Sequence, residues 1–245
     1  MRSIIVIPAR QKSSRFPGKP LTPILGKPMI RWVWESCATA IGTQRVFVAT
    51  DDESIARVVD SFGGQVQLTS PDCATGTDRL YDFSKHIAAD LYINVQGDEP
   101  LIKPDEVSAF VEQAETHPDV VLNGFAPIDS EEEFRSLAVP KVVMRADGQL
   151  LYMSRAAIPG NKDSDFKGAH KQICMYSFPL KHLELFGTHP TKTPLEAEED
   201  IEILRLVELG VPVHMVPCAG GTIAVDFPSD VQRVESLLRS KSQLS

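Results

Sequence analysis

Short apolar runs alternate with longer amphipathic stretches through the first half of the chain. The runs at 3–8, 45–50, 65–69, 91–96 and 120–126 carry few polar residues. They predict strands buried on both faces, because a strand with one wet face alternates polar and apolar positions. Between them, 28–41, 52–62, 77–88 and 104–116 each carry an apolar face at helical spacing, which predicts helices. Start signals agree: Asp51-Asp52 precede the second, Thr75 and Thr77 stand at the third, and Pro104-Asp105 open the fourth. Strands separated by helices predict a mostly parallel sheet covered on both sides, the doubly wound α/β class.

The pattern changes after Asp129. Residues 141–146 and 149–153, joined by Asp147-Gly148, predict a hairpin. Residues 160–168 are mostly polar and read as a mobile loop. A strand at 170–178, a helix at 196–209, a strand at 212–217 and a helix at 229–240 complete the pattern. No linker sets the hairpin region apart. The expectation is one domain over 1–245, with an inserted β-rich lobe at 130–180 that shapes an acceptor site, makes a dimer contact, or both.

Composition narrows the function. A net charge of −8 disfavours a nucleic-acid surface, so a basic cluster in this chain has a local purpose. No apolar run is long enough for membrane insertion, and Met1-Arg2-Ser3 lead directly into the first strand, so a cytoplasmic protein is expected. Cys37, Cys73, Cys174 and Cys218 have no metal-site spacing and read as reduced thiols.

The cations Arg10, Lys12, Arg15 and Lys19 follow the first strand, in a loop stiffened by Pro17, Gly18 and Pro20. Cations just past the carboxyl end of such a strand are placed to grip a polyanion, with a triphosphate the natural candidate. Asp98 ends the fourth strand in Gln96-Gly-Asp-Glu-Pro100, where an acid either holds Mg²⁺ or caps a turn. Asp226, before Pro228, either joins Asp98 in cradling metal or marks the start of a helix. In Cys73-Ala-Thr-Gly-Thr-Asp-Arg79, the backbone amides either accept a base or phosphate edge, with Arg79 as a forked donor, or are capped by Thr75 or Thr77. Arg155 either sits on the surface or pairs with a substrate carboxylate. His170, Gln172, Cys174 and Tyr176 share one strand face and either line a pocket or cover a half-exposed sheet. Glu196, Glu198, Glu199, Asp200 and Glu202 mostly complement a helix dipole, with Glu202 deep enough to be a functional exception. No Walker A loop, G-x-G-x-x-G motif or zinc spacing is present.

Taken together, Ile7-Pro-Ala-Arg10, Ser14-Arg-Phe-Pro-Gly-Lys-Pro20, Gly26-Lys-Pro-Met-Ile30, Val48-Ala-Thr-Asp51, Gly76-Thr-Asp-Arg79, Asn94-Val-Gln-Gly-Asp-Glu-Pro100 and Lys141-Val-Val resemble the 3-deoxy-manno-octulosonate cytidylyltransferase (CMP-KDO synthetase) family. Tyr152-x-Ser-Arg155 and Val225-Asp-x-Pro228 extend the likeness over nearly the whole chain. The resemblance implies a Rossmann-like nucleotidyltransferase fold and a homodimer. It implies transfer from CTP to an acidic eight-carbon sugar, giving a CMP-sugar for lipopolysaccharide or capsule synthesis. It implies nucleotide contacts from Pro8, Ala9, Arg10, Arg15, Lys19, Thr75, Gly76, Arg79 and Asp98, with Lys19, Arg10 and Asp98 catalytic. Asp98 and Asp226 would hold Mg²⁺, and Gln96, Arg155, Gln172, Tyr176 and Glu202 would meet the sugar.

Departures from the family pattern gather on the sugar side: Gln172 for His, Cys174 for Gly, Phe178 for Tyr, Ile203 for Gln, and Asp200 for an apolar residue. They leave room for a modified KDO, an 8-amino-KDO or another nonulosonate-like acid. Rival readings are a GT-A-like glycosyltransferase, for which no Asp-x-Asp stands in the right place, and a nucleotide-binding regulator without turnover.

Overall fold

The computed structural model describes residues 1–12, 16–221 and 223–242, the last two by backbone alone. Eleven strands are described: β1 Ser3–Ala9, β2 Pro23–Ile24, β3 Lys27–Pro28, β4 Val46–Thr50, β5 Gln65–Leu68, β6 Leu91–Val95, β7 Val121–Pro127, β8 Lys141–Met144, β9 Leu150–Ser154, β10 His170–Pro179 and β11 Val213–Pro217. The α-helices are α1 Met29–Ile41, α2 Glu53–Ser61, α3 Gly76–Ser84, α4 Pro104–Thr116, α5 Glu131–Arg135, α6 Leu180–Gly187, α7 Pro194–Glu199, α8 Leu204–Glu208 and α9 Pro228–Ser242.

The main sheet runs β11-β7-β10-β6-β1-β4-β5. Its pairings are parallel except those of β10, which runs antiparallel to both β6 and β7. The β8–β9 hairpin joins the same sheet through β8 and the start of β10. The apolar runs explain the layering. Alternate residues of β1 and β6 enter opposite cores, with Ile5, Ile7, Leu91 and Ile93 on one side and Ile4, Val6 and Tyr92 on the other. Helices α1, α2 and α4 cover the first face, and α3, α6 and α8 the second.

The order of the strands decides where ligands go. From β1 the chain moves outward to β4 and β5, then returns to place β6 on the other side of β1. The loops leaving β1 and β6 therefore part at the carboxyl edge of the sheet. That crevice is where open α/β sheets bind ligands.

Several expectations change. The helix expected over 196–209 is two short helices, α7 and α8, broken where Asp200 adopts φ 51° and ψ 49°. A left-handed residue cannot continue a right-handed helix. The helix expected over 77–88 ends at Ser84. Helices α5 and α6 were not anticipated. Asp226, which follows an apolar run that predicts a strand, lies in the irregular segment between β11 and α9. Residues 160–168 form neither strand nor helix.

Candidate functional site

One cleft of about 880 Å³ opens over the carboxyl ends of β1 and β6. It is lined by Pro8, Ala9, Arg10 and Lys19 from the first loop, Thr75, Gly76 and Arg79 at the start of α3, and Gln96 and Asp98 after β6. Arg155, Gln172, Tyr176, Glu202 and Asp226 complete the far wall. Arg15 lies outside the described residues, and His170 lies outside the lining, edge-on to Phe125 at 5.0 Å.

Two glycines shape the near wall. Gly18, at φ +74°, takes the left-handed turn that brings its amide back to Gln11 O at 3.1 Å and starts the short 3-10 helix carrying Lys19. A Cβ at Gly97 would stand 3.1 Å from Ile30 and 3.3 Å from Ile7 and Pro8 O, so only glycine lets the β6 loop lie this close to β1. The next residue is Asp98, whose carbonyl accepts from Val225 N at 2.9 Å and thereby draws the 223–227 segment to the β6 loop.

The result is a convergence of charge. Lys19 Nζ stands 2.8 Å from Asp98 Oδ2 and 3.8 Å from Asp226 Oδ1. Residues 128 positions apart in sequence thus place two carboxylates around one ammonium. The helix-start role falls to Asp230, whose Oδ2 accepts from the amides of Asp226 and Phe227. Asp98 Oδ1 is buried and accepts no hydrogen bond from the described residues. Two hard carboxylates, one with an oxygen still unbonded, suit a cation that takes few protein ligands and completes its shell with phosphate oxygens. Among the described residues no group of three or more His, Cys, Asp or Glu is arranged to hold a metal by itself.

The acidic run of 196–202 does more than complement a helix dipole. Glu196, fully buried, pairs through both oxygens with Arg205, at 2.6 and 2.7 Å. Arg205 also reaches Asp78 at 2.8 Å and stacks over Phe186 at 3.7 Å. Glu199 accepts from Tyr152, Ser154 and the Arg155 amide, which ties α7 to the end of β9. Glu202 accepts from the amides of Gly76 and Thr77 and from the Thr77 hydroxyl, at 3.1, 2.8 and 2.6 Å. Burial pushes its carboxyl pKa up, against the pull of those three donors.

Several roles expected from sequence change accordingly. The amides of Gly76 and Thr77 already serve Glu202, and Thr75 caps α3 in a capping box with Asp78, so this helix start offers a nucleotide a wall instead of open amides. Arg79, also buried, donates to Thr69 Oγ1 and Ser70 O and pairs with Asp51 at 3.2 Å, so it is no open fork. The Arg155 guanidinium faces the backbone carbonyls of Leu137, Ala138, Glu199 and Asp200. Below it, the buried Lys141 ammonium is caged by the carbonyls of Ser136, Val139 and Arg155. Burial and the Arg155 charge push its pKa down to about 8.

Sequence reasoning missed Lys171 and Lys192, which line the cleft and pair with Glu133 and Asp200. It also missed Asn123, a polar residue inside the apolar run 120–126, and that interruption was the available signal. On β10, burial drives the Cys174 thiol and the Tyr176 phenol well above their ordinary pKa values.

Comparison with known proteins shows what the chain is similar to. Residues 4–213 match the family described as cytidylyltransferase. The chain is 43% identical over 244 residues to a 3-deoxy-manno-octulosonate cytidylyltransferase of Syntrophotalea carbinolica, covering 96% of this chain and 97% of the relative. It is 39% identical over 244 residues to an 8-amino-3,8-dideoxy-manno-octulosonate cytidylyltransferase of Shewanella oneidensis, covering 97% and 99%. A solved CMP:2-keto-3-deoxy-manno-octonic acid synthetase, complexed with CTP, superposes with a TM-score of 0.90 at 34% identity, over 98% of this chain and all of that one.

Proposed function

We infer, from a chain that belongs to the cytidylyltransferase family, an enzyme that transfers the cytidylyl group of CTP to a KDO-type acid sugar, releasing pyrophosphate. The observation that carries the reading is the meeting of Lys19, Asp98 and Asp226 at the crevice between β1 and β6. A glycosyltransferase leaves the Pro-Gly-Lys-Pro turn of the first loop without a purpose, and a nucleotide-binding regulator would bind CTP with Mg²⁺ and release no pyrophosphate.

In the proposed reaction the anomeric hydroxyl of the sugar attacks the α-phosphorus in line. A P–O bond forms to the sugar oxygen as the bond to pyrophosphate breaks, and the hydroxyl proton leaves to solvent. Arg10 and Lys19 hold the triphosphate and balance charge that builds on the leaving phosphates. Asp98 and Asp226 would hold Mg²⁺, which when bound neutralises phosphate charge and acidifies the attacking hydroxyl. The nucleotide lies along Pro8, Ala9 and the Thr75–Gly76 wall. The sugar lies across Gln96, Gln172 and Tyr176, with Arg155 supplying positive charge for its carboxylate. Glu202 braces the wall between the two sites.

The Shewanella oneidensis relative, aligned along nearly all of both chains, favours a second reading in which the sugar is the 8-amino form. The proposal includes one domain with an acceptor lobe, a cytoplasmic homodimer, and a CMP-sugar destined for lipopolysaccharide or capsule. No described helix is long and apolar enough to cross a membrane. The test is pyrophosphate release from CTP and Mg²⁺ with a panel of acid sugars. KDO-type sugars should be turned over and sialic-type sugars should not; silence with every octulosonic acid would refute the reading.

A further inference from the structure

The sugar wall has a hydrogen-bond polarity that the backbone fixes. The pairing of β10 with β7 is interrupted between Ile173 and Tyr176. The carbonyls of Ile173 and Met175 turn there to Asn123, which is fully buried, and accept from its Nδ2 at 3.0 and 2.8 Å. Two carbonyls demand a donor, so the amide nitrogen of Asn123 must face them and its Oδ1 must face the other way. Gln172 stands opposite and donates from Nε2 to that oxygen at 2.9 Å. Gln172 Oε1 is thereby left as the outward atom. It accepts no hydrogen bond from the described residues, is not among the buried polar atoms, and belongs to a residue lining the cleft.

We propose that the Asn123–Gln172 pair makes this enzyme prefer an acid sugar carrying an ammonium group over its hydroxyl counterpart, by presenting a locked carbonyl acceptor to the sugar. Asn123 is the positioning residue and Gln172 the contact. An ammonium donates a charge-assisted hydrogen bond to such an acceptor, stronger than a hydroxyl's.

The proposal rests on the functional reading above, and one experiment separates the two. Pyrophosphate release is measured with the full chain, CTP and Mg²⁺, giving kcat/KM for 3-deoxy-manno-octulosonate and for its 8-amino-3,8-dideoxy counterpart. The natural chain should favour the amino sugar by about tenfold or more. That ratio should fall as pH rises through the amine's own pKa. Gln172→Met, which keeps length and removes the acceptor, should bring the ratio to within about threefold of unity, mostly through KM for the amino sugar. A ratio at or below one in the natural chain overturns the proposal while leaving the function intact, and so does a Met variant that keeps the preference. If that variant does not fold, the natural chain's ratio and its pH dependence decide. If neither sugar releases pyrophosphate, the functional reading falls and the proposal falls with it.

Discussion

At the residue scale, the decisive feature is a lysine shared by two acids. Lys19 and its partners are each only partly shielded from solvent, at 16–26% exposure, so their pairing adds little to stability, about 1 kcal/mol or less. Their value lies in chemistry. Asp98→Asn or Asp226→Asn should therefore leave the melting temperature nearly unchanged and cut kcat by at least about a hundredfold. Near-normal turnover in both variants, measured by pyrophosphate release, would remove the metal assignment. Lys19 and Asp98 were legible in sequence because each follows an informative local pattern, a Pro-Gly-Lys-Pro turn and an acid in a Gly turn after an apolar run, whereas Asp226 had only an apolar run before it and Pro228 after it. Arg79 was legible as a cation and misread as an open fork, and Arg155 was legible as a cation but not in its backbone partners. What occupies a guanidinium is decided by carbonyls and carboxylates from remote segments, such as Asp51 for the first and Leu137 for the second. No local pattern encodes those partners.

At the scale of elements, the 194–208 segment acts as a clasp. Three glutamates spaced by three residues hold three different elements: α8 through Arg205, β9 through Ser154 and Tyr152, and α3 through its first amides. The apolar spacing of Ile201, Leu204 and Val207 reads as helical throughout, whereas the chain breaks at the left-handed Asp200, between the glutamates that make these long-range bonds. Two consequences are measurable. Arg205→Met would leave Glu196 charged and fully buried without its partner, which should lower stability by about 3–5 kcal/mol in denaturant unfolding. A loss under 1 kcal/mol would mean that Glu196 finds another partner or a proton. The second consequence concerns acid. Burial raises the Glu199 carboxyl, but hydrogen bonds from Ser154, the Arg155 amide and Tyr152 outweigh it, so its pKa lies below the ordinary 4.5. A carboxyl held low in the folded state stabilises it above the unfolded pKa and loses that effect as pH falls through the folded value. The tie between α7 and β9 should therefore weaken as pH falls below the ordinary 4.5. Hydrogen exchange at the β9 amides should quicken there before exchange at β1 does, and simultaneous loss at both would argue against a separate clasp.

At the scale of the whole molecule, the fold was the most legible part. Apolar runs alternating with amphipathic helices leave few arrangements once crossovers must be right-handed and both sheet faces covered. Strand β10 was expected as a strand, but nothing local announces that it inserts antiparallel between β6 and β7. That insertion brings Gln172 and Tyr176 to the same crevice as Arg10 and Asp98. The crevice is thus built from segments spread along the chain, and its walls are closed by hydrogen bonds and apolar cores. The proposed metal site, completed by the nucleotide, and the fold should make separable demands. Chelation with EDTA should abolish turnover while leaving the melting temperature within about 1 °C. CTP with Mg²⁺ at a hundred times Kd should raise stability by about 2.7 kcal/mol, or roughly 5–10 °C for a chain of this size. CTP with EDTA should raise it far less, because the triphosphate then meets Asp98 and Asp226 with only Lys19 to offset their charge. Thermal shift with the four combinations of CTP and chelator reads all of this in one plate. A large drop in melting temperature on chelation alone would instead mean that a cation holds the fold together.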